Sequence, residues 1–387
     1  MKLDLIRCRI DEIDSAIAEL LSERLGLSSE ISAIKSKMNM PIEDTSREQT
    51  VLNRIAAWAK SDAEASAMKQ IYTQVMLASK TLQREGEARF AIDSDAPLQF
   101  SQVAVLGVGL IGSALCRQMR RCQPQAKVIG FDSDEVLARA VEHGVIDEAA
   151  ADLKNAVKSA TLIVLSASPA GNLELLEKIA PLLDKSVIVV DVSSTKGKIV
   201  ALAERLELSG AEFIGGHPLF GSEKRGLEAG LQLDVDGRVF CLVPTAKSSS
   251  AGVERLSAWI RSLNMKVATI EALEHDRILA RTSHMVQILS ILLGGQLAHE
   301  RSEADLTSLL QFIGPSFKQL SRLMKSPAGM WSEIILQNKA EIEQALDDFE
   351  AQFKKLRAAV GESDSQKIAA LFQEARRVPA AIENSAQ

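Results

Sequence analysis

The chain is poor in aromatic side chains and in histidine. Aromatic residues make up 4% of its 387 residues, with one tyrosine, and there are five histidines. Proteins that stack single-stranded nucleic acid need aromatic platforms, and generic nucleic-acid binders need a basic surface. The net charge of −6 has the opposite sign, so no nucleic-acid partner is expected. Any histidine chemistry must come from a small set of residues.

Cysteine and long apolar runs are also scarce. The four cysteines show no CxxC spacing, which predicts reduced thiols in a cytoplasmic protein and no metal site. The first residues contain no apolar stretch of the signal-peptide type. The longest apolar run, residues 285–298, falls short of the roughly 20 residues that a membrane span needs. We therefore expect a cytoplasmic protein without a membrane partner.

The sequence divides into regions of different periodicity. Residues 1–88 are predicted to be all helical, and residues 89–100 form a linker. Residues 101–270 alternate short β-branched runs with helical stretches, which is typical of a doubly wound parallel sheet. Residues 271–387 are again helical. The predicted fold is a helical module, an α/β Rossmann domain and an all-α C-terminal module.

Apolar residues of the first predicted helix recur in alternating steps of three and four, from Leu3 to Met38. This 3.5-residue repeat is typical of a long helix packed on other helices. Pro41 predicts its end, and Thr45 with Glu48 forms a capping-box pattern for a second helix. A third helix is predicted near residues 61–85. Because three such helices cannot bury the long apolar face themselves, we expect a helical homodimer.

One charged residue, Arg24, interrupts this repeat between Leu20 and Leu27. A charge on a buried face needs a partner. Cations that face inward across a helical bundle indicate a small polyanionic ligand. An arginine that sets the register, or that pairs with a carboxylate of the same face, is the alternative. Other polar candidates near this face are Arg7, Lys35, Asp44, Arg47, Glu48 and Gln83.

Residues 107–112 read GVGLIG, directly after a predicted strand and at the start of a predicted helix. Gly107 permits the tight turn, and Gly109 lets a pyrophosphate approach the helix N-terminus. Asp132 has the spacing of the acid that holds a ribose 2′-hydroxyl, and no Arg or Lys follows it directly, which favours NAD over NADP. A turn whose glycines serve packing alone is the alternative. The predicted cofactor contacts are Gly107, Gly109, Leu110, Ile111, Gly112, Asp132 and Ser168.

Two polar segments follow predicted parallel strands, one with Ser194 and the other with His217. Open α/β sheets bind ligands at that edge. A histidine oriented by a serine can act as the acid or base when a hydroxyl is oxidised by hydride transfer. A loop histidine with a structural hydrogen bond is the alternative. Of the histidines in the predicted helices that follow, His284 is a better pocket candidate than His275. For Arg322, in the same region, a solvated side chain is the alternative to a place in the pocket.

Two sets of motifs resemble known families. Residues 3–84 resemble the all-helical chorismate mutases through IRxxIDxxD at 6–14, LLxER at 20–24, Lys35, PIxDxxRE at 41–48 and SxxxQ at 79–83. Residues 102–360 resemble the prephenate dehydrogenases through GVGLIG, DxxSxK at 191–196, GHP at 216–218, GSEK at 221–224, EHD at 274–276, RxxKS at 322–326 and MW at 330–331. The whole chain resembles the bifunctional chorismate mutase/prephenate dehydrogenases of tyrosine biosynthesis.

The first resemblance implies a chorismate site in the helical module. A Claisen rearrangement needs no nucleophile or metal, only a fixed conformer and donors aimed at the breaking C–O bond. By similarity, the carboxylates would be bound by Arg7 of a partner protomer, Arg24, Arg47 and Ser79, the hydroxyl region by Asp44 and Glu48, and the ether oxygen by Lys35 and Gln83.

The second resemblance implies a dehydrogenase site for prephenate with NAD. His217 would hydrogen-bond the ring hydroxyl during hydride transfer, Ser194 would orient His217, and Arg322 would bind a substrate carboxylate. Further residues near the pocket would be Ser222, Glu223, His284, Gln287 and Trp331. The C-terminal helices would dimerise.

The resemblance departs from the family pattern at Gln287, where many relatives have a histidine that touches the substrate side chain and affects inhibition by tyrosine. Glutamine can hydrogen-bond but carries no charge. The sequence therefore leaves open both tyrosine inhibition and the choice between prephenate and arogenate, although a fused mutase favours prephenate.

Three other functions remain compatible with the sequence. The N-terminal helices could serve only for dimerisation or regulation of a prephenate or arogenate dehydrogenase. The chain could be another helix-dimerised Rossmann dehydrogenase that acts on a small hydroxy acid or imine. It could also be a nucleotide-sensing protein without catalytic activity.

Overall fold

The computed structural model describes residues 2–37, 45–90, 99–299 and 302–385. Its N-terminal part is helical, as the periodicity predicts, with α1 (Lys2–Lys37), α2 (Thr45–Ala56) and α3 (Asp62–Phe90). The third helix continues past Glu85 and covers the first two residues of the predicted linker. Pro41, where the sequence predicts the end of the first helix, and the predicted site residue Asp44 lie outside the described residues.

The apolar repeat of α1 is about half exposed in the single chain. Ile6, Ile17 and Leu20 expose 51%, 48% and 65% of their surfaces. A continuous apolar face of this length is unfavourable in water. Since the described residues of the same chain leave it uncovered, the face needs a partner surface.

Residues 99–270 form an α/β domain around one eight-stranded sheet. Its strands are β1 (Gln102–Leu106), β2 (Lys127–Phe131), β3 (Glu148–Ala149), β4 (Leu162–Leu165), β5 (Ile188–Asp191), β6 (Glu212–Pro218), β7 (Val239–Pro244) and β8 (Lys266–Thr269). Their order is β3-β2-β1-β4-β5-β6-β7-β8. All neighbours are parallel except β6 and β7. The doubly wound sheet is thereby confirmed.

Three of the strands, namely β3, β7 and β8, were not predicted from the sequence. The two residues of β3 are too few for a periodic signal, and β8 is mostly exposed. The antiparallel direction of β7 depends on the route of the connection after β6, which the sequence of β7 itself does not encode.

Helices cover both faces of the sheet, as a doubly wound topology requires. Val105 and Trp259 belong to the apolar cluster on one face, and Leu165 and Phe213 belong to the cluster on the other. The helices of this domain are α4 (Leu110–Cys122), α5 (Asp134–Glu142), α6 (Leu153–Val157), α7 (Pro169–Ile179), α8 (Gly197–Arg205), α9 (Leu227–Leu231) and α10 (Ser250–Ser262).

A crevice is expected where β1 pairs with β2 on one side and with β4 on the other, because the connections diverge at this point. Gly107 lies here with φ +101°, and a Cβ on it would lie 2.6 Å from the carbonyl carbon of Ser166. A Cβ on Gly112 would lie 2.1 Å from the oxygen of Gly107. A Cβ on Gly109 would meet nothing within 4 Å. Two of the glycines therefore permit close packing, and the third leaves the helix N-terminus open.

The C-terminal part begins with one continuous helix made of α11 (Ala272–Leu279), a π-helical turn (Ala280–His284) and α12 (Met285–Ala298). The 27 residues Ala272–Ala298 are long and apolar enough to cross a membrane. The helix is therefore longer than the apolar run of residues 285–298, because α11 extends it. The core helix of a soluble protein meets the same criterion. The remaining helices are α13 (Glu303–Leu310), α14 (Pro315–Leu323), α15 (Ala328–Gln337), α16 (Lys339–Gly361), α17 (Ser365–Ala375) and α18 (Arg377–Ser385).

These C-terminal helices also present apolar side chains to solvent. Leu292, Phe312 and Phe353 expose 58%, 84% and 56% of their surfaces. Several such residues on adjoining helices indicate a second surface that a partner would cover.

We predict opposite effects on stability for two alanine substitutions in the glycine turn. Gly107→Ala forces a Cβ into the Ser166 backbone at a positive φ and should lower the free energy of unfolding by at least about 2 kcal/mol. Gly109→Ala, the matched control, should change it by less than about 0.5 kcal/mol. Urea unfolding followed by circular dichroism measures both. Equal stability of the two variants would contradict the close approach at Gly107.

Candidate active sites

His217 lies at the end of β6 and contacts the C-terminal helices. Its Nδ1 lies 2.8 Å from Nε2 of His275, and Nδ1 of His275 lies 2.8 Å from Oδ1 of Asp276. Burial lowers the pKa of His217 well below 6.5, and electrostatic interactions with the neighbouring His275 and Lys196 lower it further. His217 is therefore neutral near pH 7, and one of its ring nitrogens can accept a hydrogen bond.

The structure does not support the predicted role of Ser194. Ser194 is half buried on the loop after β5, and among the described residues its hydroxyl has no hydrogen-bond partner. The buried serine of this loop is Ser193, whose Oγ accepts from Nδ2 of Asn172 at 2.9 Å. His275 occupies Nδ1 of His217 instead. Nothing in the sequence indicated this contact of His275, because the packing of α11 against the sheet is not visible in the local pattern.

A buried ion pair lies between the same two strand ends. The ammonium of Lys196 contacts the carboxylate of Asp191, and neither side chain is exposed. Lys196 Nζ also donates to the carbonyl oxygen of Gly216 at 2.7 Å, and the Gly216 N–H donates to Oδ1 of Asp191 at 3.1 Å. Burial lowers the pKa of Lys196, and Asp191 opposes that shift. Because Gly216 directly precedes His217, the pair fixes the backbone from which His217 projects.

His284 belongs to the π-helical turn, an irregularity that often marks functional sites. Its Nδ1 lies 3.2 Å from Nδ2 of Asn338, whose amide also donates to the backbone carbonyl of Asp276 at 2.8 Å. A carbonyl can only accept, so the Asn338 atom between them is the amide nitrogen, and Nδ1 of His284 accepts. Burial lowers the pKa of His284 to about 4. His284 is then neutral and presents Nε2–H as a donor.

Trp331, Arg322 and Gln287 come from three neighbouring helical segments. The Trp331 ring packs edge-on against His284, with 6.0 Å between the ring centroids. Arg322 of α14 pairs with Glu223 of the β6–α9 connection at 2.6 Å. Gln287 is buried, and its Nε2 donates to the carbonyl oxygen of Leu323 at 2.9 Å.

Ser222 accepts from the Lys224 N–H at 3.2 Å within the same connection as Glu223. The sequence predicts either a solvated side chain or a substrate contact for Arg322. In the structure Arg322 is instead paired with the carboxylate of Glu223. A guanidinium already facing the β6–α9 connection is well placed to exchange its partner for a substrate carboxylate.

The glycine turn fits a dinucleotide. Gly109 leaves open space at the N-terminus of α4, where backbone amides and the helix dipole favour an anion. Oγ of Ser166 is buried beside this turn and has no partner among the described residues. Asp132 ends the β2 segment and accepts from the Val108 N–H and the Ser133 N–H, both at 2.7 Å. A carboxylate has about four lone-pair positions, so Asp132 can still accept from a ribose.

The remaining predicted cofactor contacts lie around the same edge of the sheet. Leu110 and Ile111 begin α4 and are half buried. Ser168 caps α7, and its hydroxyl accepts from the Gly171 N–H at 3.2 Å. Ala170, two residues further on, donates its N–H to Oε2 of Glu333 on α15 at 3.0 Å, which ties this edge to the C-terminal helices.

In the helical module, Arg24 is half buried and donates to Oγ of Ser79, which links α1 to α3. Ser79 is 5% exposed and donates in turn to the Val75 carbonyl at 2.9 Å. Arg24 therefore points toward a polar interior, as its position in the apolar repeat predicts. Glu48 of α2 pairs with Lys80 of α3 at 2.8 Å.

Two other predicted mutase residues, Arg7 and Arg47, are exposed in the single chain. The side chains of Lys35 and Gln83, and the whole of Asp44, lie outside what the structure describes.

Sequence reasoning missed several residues of these sites. Asp191, Lys196 and Asp276 belong to motifs that were recognised, but no role was attached to them. Asn338 and Lys80 carry no local signal, because the sequence around a polar residue does not show whether its side chain is buried or which distant residue it contacts. Their partners are 54 to 62 residues away for Asn338 and on another helix for Lys80.

Three family descriptions match consecutive parts of the chain. Residues 6–84 match "Chorismate mutase type II". Residues 115–269 match "Prephenate dehydrogenase, nucleotide-binding domain", and residues 271–374 match "Prephenate dehydrogenase, dimerization domain".

Individual relatives agree with these assignments. A prephenate dehydrogenase of Lactococcus lactis is 30% identical over 285 residues, which cover 73% of this chain and 77% of the relative. The T-protein of Enterobacter agglomerans is 22% identical over 96% of this chain and 91% of its own. The crystal structure of prephenate dehydrogenase from A. aeolicus in complex with hydroxyphenyl propionate and NAD+ has a TM-score of 0.68 and 26% identity, covering 74% of this chain and 99% of that one.

The family matches and the individual relatives thus agree for both parts of the chain. The chain belongs to the prephenate dehydrogenase family and carries a type II chorismate mutase domain at its N-terminal end.

Proposed function

We propose that the two domains catalyse consecutive reactions of tyrosine biosynthesis. The helical module would convert chorismate to prephenate, and the α/β and C-terminal domains would oxidise and decarboxylate prephenate to 4-hydroxyphenylpyruvate with NAD. The observation that supports this most directly is the neutral, buried His217 at the strand edge that also holds the glycine turn. A dehydrogenase with an inert N-terminal scaffold would not need Arg24 on an otherwise apolar face.

The mutase part would act by binding and orientation. Chorismate is a dianion, and a polar interior lined by Arg24 and Ser79 offers donors to its carboxylates. Glu48 would hold the hydroxyl region, and Lys35 and Gln83 would donate to the ether oxygen as charge builds there. Arg7 and Arg47 would complete the set, with Arg7 reaching the site of a partner protomer. The exposure of Arg7 in the single chain fits that role.

In the dehydrogenase part, His217 would accept the proton of the ring hydroxyl while the hydroxyl carbon loses hydride and the ring carboxylate leaves as CO2. When bound, NAD supplies the hydride acceptor. His284, as an Nε2–H donor, would hydrogen-bond the substrate, and Trp331 would close the apolar side of the pocket. Arg322 would leave Glu223 to bind a substrate carboxylate.

We propose prephenate as the substrate in preference to arogenate. The fused mutase produces prephenate, and Gln287 offers no negative charge to the ammonium that distinguishes arogenate. Its amide is also held by the Leu323 carbonyl, so it cannot turn freely toward a new ligand. Inhibition by tyrosine is expected to be weak for the same reason.

We further propose that the chain is a cytoplasmic homodimer. The apolar faces of α1 and of the C-terminal helices are both uncovered in one chain, and a twofold-related copy would cover each of them. The four free cysteines, three of them buried, suit a reducing compartment.

The two activities should be separable by single substitutions. Arg24→Leu should lower chorismate turnover by roughly 10² to 10³, the usual cost of removing one donor from a charge-stabilising site, and leave prephenate oxidation unchanged. His217→Asn should lower the kcat of prephenate oxidation by roughly 10² to 10⁴ and leave the mutase unchanged.

The assay supplies purified protein with chorismate and NAD and follows NADH at 340 nm. Wild-type protein should form NADH from chorismate alone. Protein that forms NADH from added prephenate but none from chorismate would refute the mutase assignment. Repeating the assay with arogenate tests the substrate preference.

The acidic limb of the pH profile should lie below pH 6.5. Because the pKa of His217 is lowered, its neutral form persists as the pH falls through the ordinary histidine range. The kcat/KM for prephenate should therefore stay constant from pH 7.5 to at least about 6.5 and fall only at lower pH. Initial rates at constant ionic strength, with an enzyme-free blank, measure this. A limb centred at or above 6.5 would contradict the neutral-acceptor role.

The mutase should depend on the apolar face of α1. Ile17→Glu places a charge on that face, where burial of an unpaired charge costs several kcal/mol, and should lower chorismate turnover by about tenfold or more. The matched control is Ser15→Glu, on the exposed opposite face of the same helix. Dehydrogenase kcat should not change in either variant. Equal mutase activity in both variants would exclude α1 as an interface.

A further inference from the structure

The EHD motif contributes two buried residues that no step above uses. His275 is fully buried and Asp276 is 4% exposed. Together with His217 they form a chain of hydrogen bonds, with 2.8 Å between the two imidazoles and 2.8 Å between His275 and the carboxylate. The chain starts at the N-terminus of α8 and ends at the imidazole that would face the substrate.

The chemistry of Asp276 fixes the direction of this chain. Its Oδ1 accepts from the Lys196 N–H and its Oδ2 from the Gly197 N–H, both at 2.8 Å. A carboxylate can only accept, so the hydrogen between Asp276 and His275 is on Nδ1 of His275. With that hydrogen on Nδ1, the Nε2 atom of a neutral His275 carries a lone pair that accepts a hydrogen bond. The hydrogen between the two rings is then on Nδ1 of His217.

We propose that His275 and Asp276 are positioning residues that hold His217 as its Nδ1–H tautomer, leaving Nε2 unprotonated to accept from the substrate hydroxyl. This proposal rests on the proposed dehydrogenase function. Without His275, the imidazole of His217 can take the other tautomer and present an N–H to the hydroxyl, which cannot then lose its proton to it.

The proton that leaves the substrate hydroxyl stays within this site and returns to the product. As the C–H bond breaks and the carbonyl forms, the hydroxyl proton moves to Nε2 of His217. After CO2 leaves, the ring oxygen carries the electron pair and takes the same proton back. His275 keeps its Nδ1 hydrogen throughout, and its Nε2 together with the Asp276 carboxylate stabilises the transient imidazolium.

Other titratable groups surround His217. They change its pKa but do not determine which ring nitrogen carries the hydrogen. Lys196 and His284 both lower the pKa of His217. Asp191 is neutralised by Lys196. Of the groups named, His275 alone makes a hydrogen bond to the His217 ring.

Two substitutions of His275 separate a positioning role from a space-filling role. In His275→Gln, the side-chain amide can donate to Asp276 and accept from His217 at once, which preserves the pattern of hydrogens. His275→Leu fills a similar buried volume but offers neither group. Asp276 is less suitable, because its carboxylate also holds two backbone N–H groups of α8.

We expect His275→Gln to keep the kcat for prephenate within about tenfold of wild type and His275→Leu to lose roughly 10²-fold or more. The KM for prephenate and the acidic limb of the pH profile should change little in His275→Gln. A packing role predicts the reverse order, with leucine tolerated better than the buried amide, and that order would overturn the proposal. NAD binding and chorismate turnover by the same polypeptide confirm that each variant is folded.

A spectroscopic measurement tests the tautomer without any substrate. With only five histidines in the chain, ¹⁵N-histidine labelling gives few signals, and His217→Asn identifies those of His217. Wild-type protein at pH 7 should show Nδ1 protonated and Nε2 bare. A protonated Nε2 would overturn the proposal even if prephenate is oxidised. A bare Nε2 in a protein that does not oxidise prephenate would instead refute the proposed function and leave the tautomer assignment intact.

Discussion

The carboxylate and backbone of Asp276 connect most of the parts on which the dehydrogenase site depends. The side chain caps α8 through two backbone N–H groups at 2.8 Å and accepts from His275 at 2.8 Å. Its carbonyl accepts from Asn338, which in turn contacts His284. One residue of the C-terminal module thus fixes a helix of the sheet domain and both pocket histidines. A buried carboxylate tolerates this position because donors occupy both of its oxygens.

The second constraint is the buried pair of Lys196 and Asp191. An ion pair inside a protein gives little net stability, but its donors and acceptors fit only one arrangement. Here the arrangement includes the backbone N–H and carbonyl of Gly216. The pair therefore fixes the backbone from which His217 projects, while Asp276 and His275 fix the ring. The ion pair thus acts on the backbone of His217, and the hydrogen-bond chain acts on its side chain.

The helical mutase module follows a different logic. A Claisen rearrangement needs only cations and donors held around a dianion. Arg24, the cation proposed for this role, lies within the apolar repeat of α1 and donates to Ser79 of α3. The same repeat leaves a half-exposed apolar face, so catalytic geometry and assembly depend on one helix. In the dehydrogenase part, these two roles belong to different elements.

The sequence alone determined the three-part organisation, the glycine turn and the identity of His217, Arg24 and Arg322 as candidates. Those features are local, because helical and strand periodicity, the glycine spacing and the motifs extend over fewer than forty residues each. Tertiary structure decided which residue touches which. It replaced Ser194 with His275 as the partner of His217, joined α11 and α12 through a π-helical turn and brought Asn338 to His284. Hydrogen bonds between residues 54 to 80 positions apart depend on how helices pack on the sheet, and no local pattern encodes that packing.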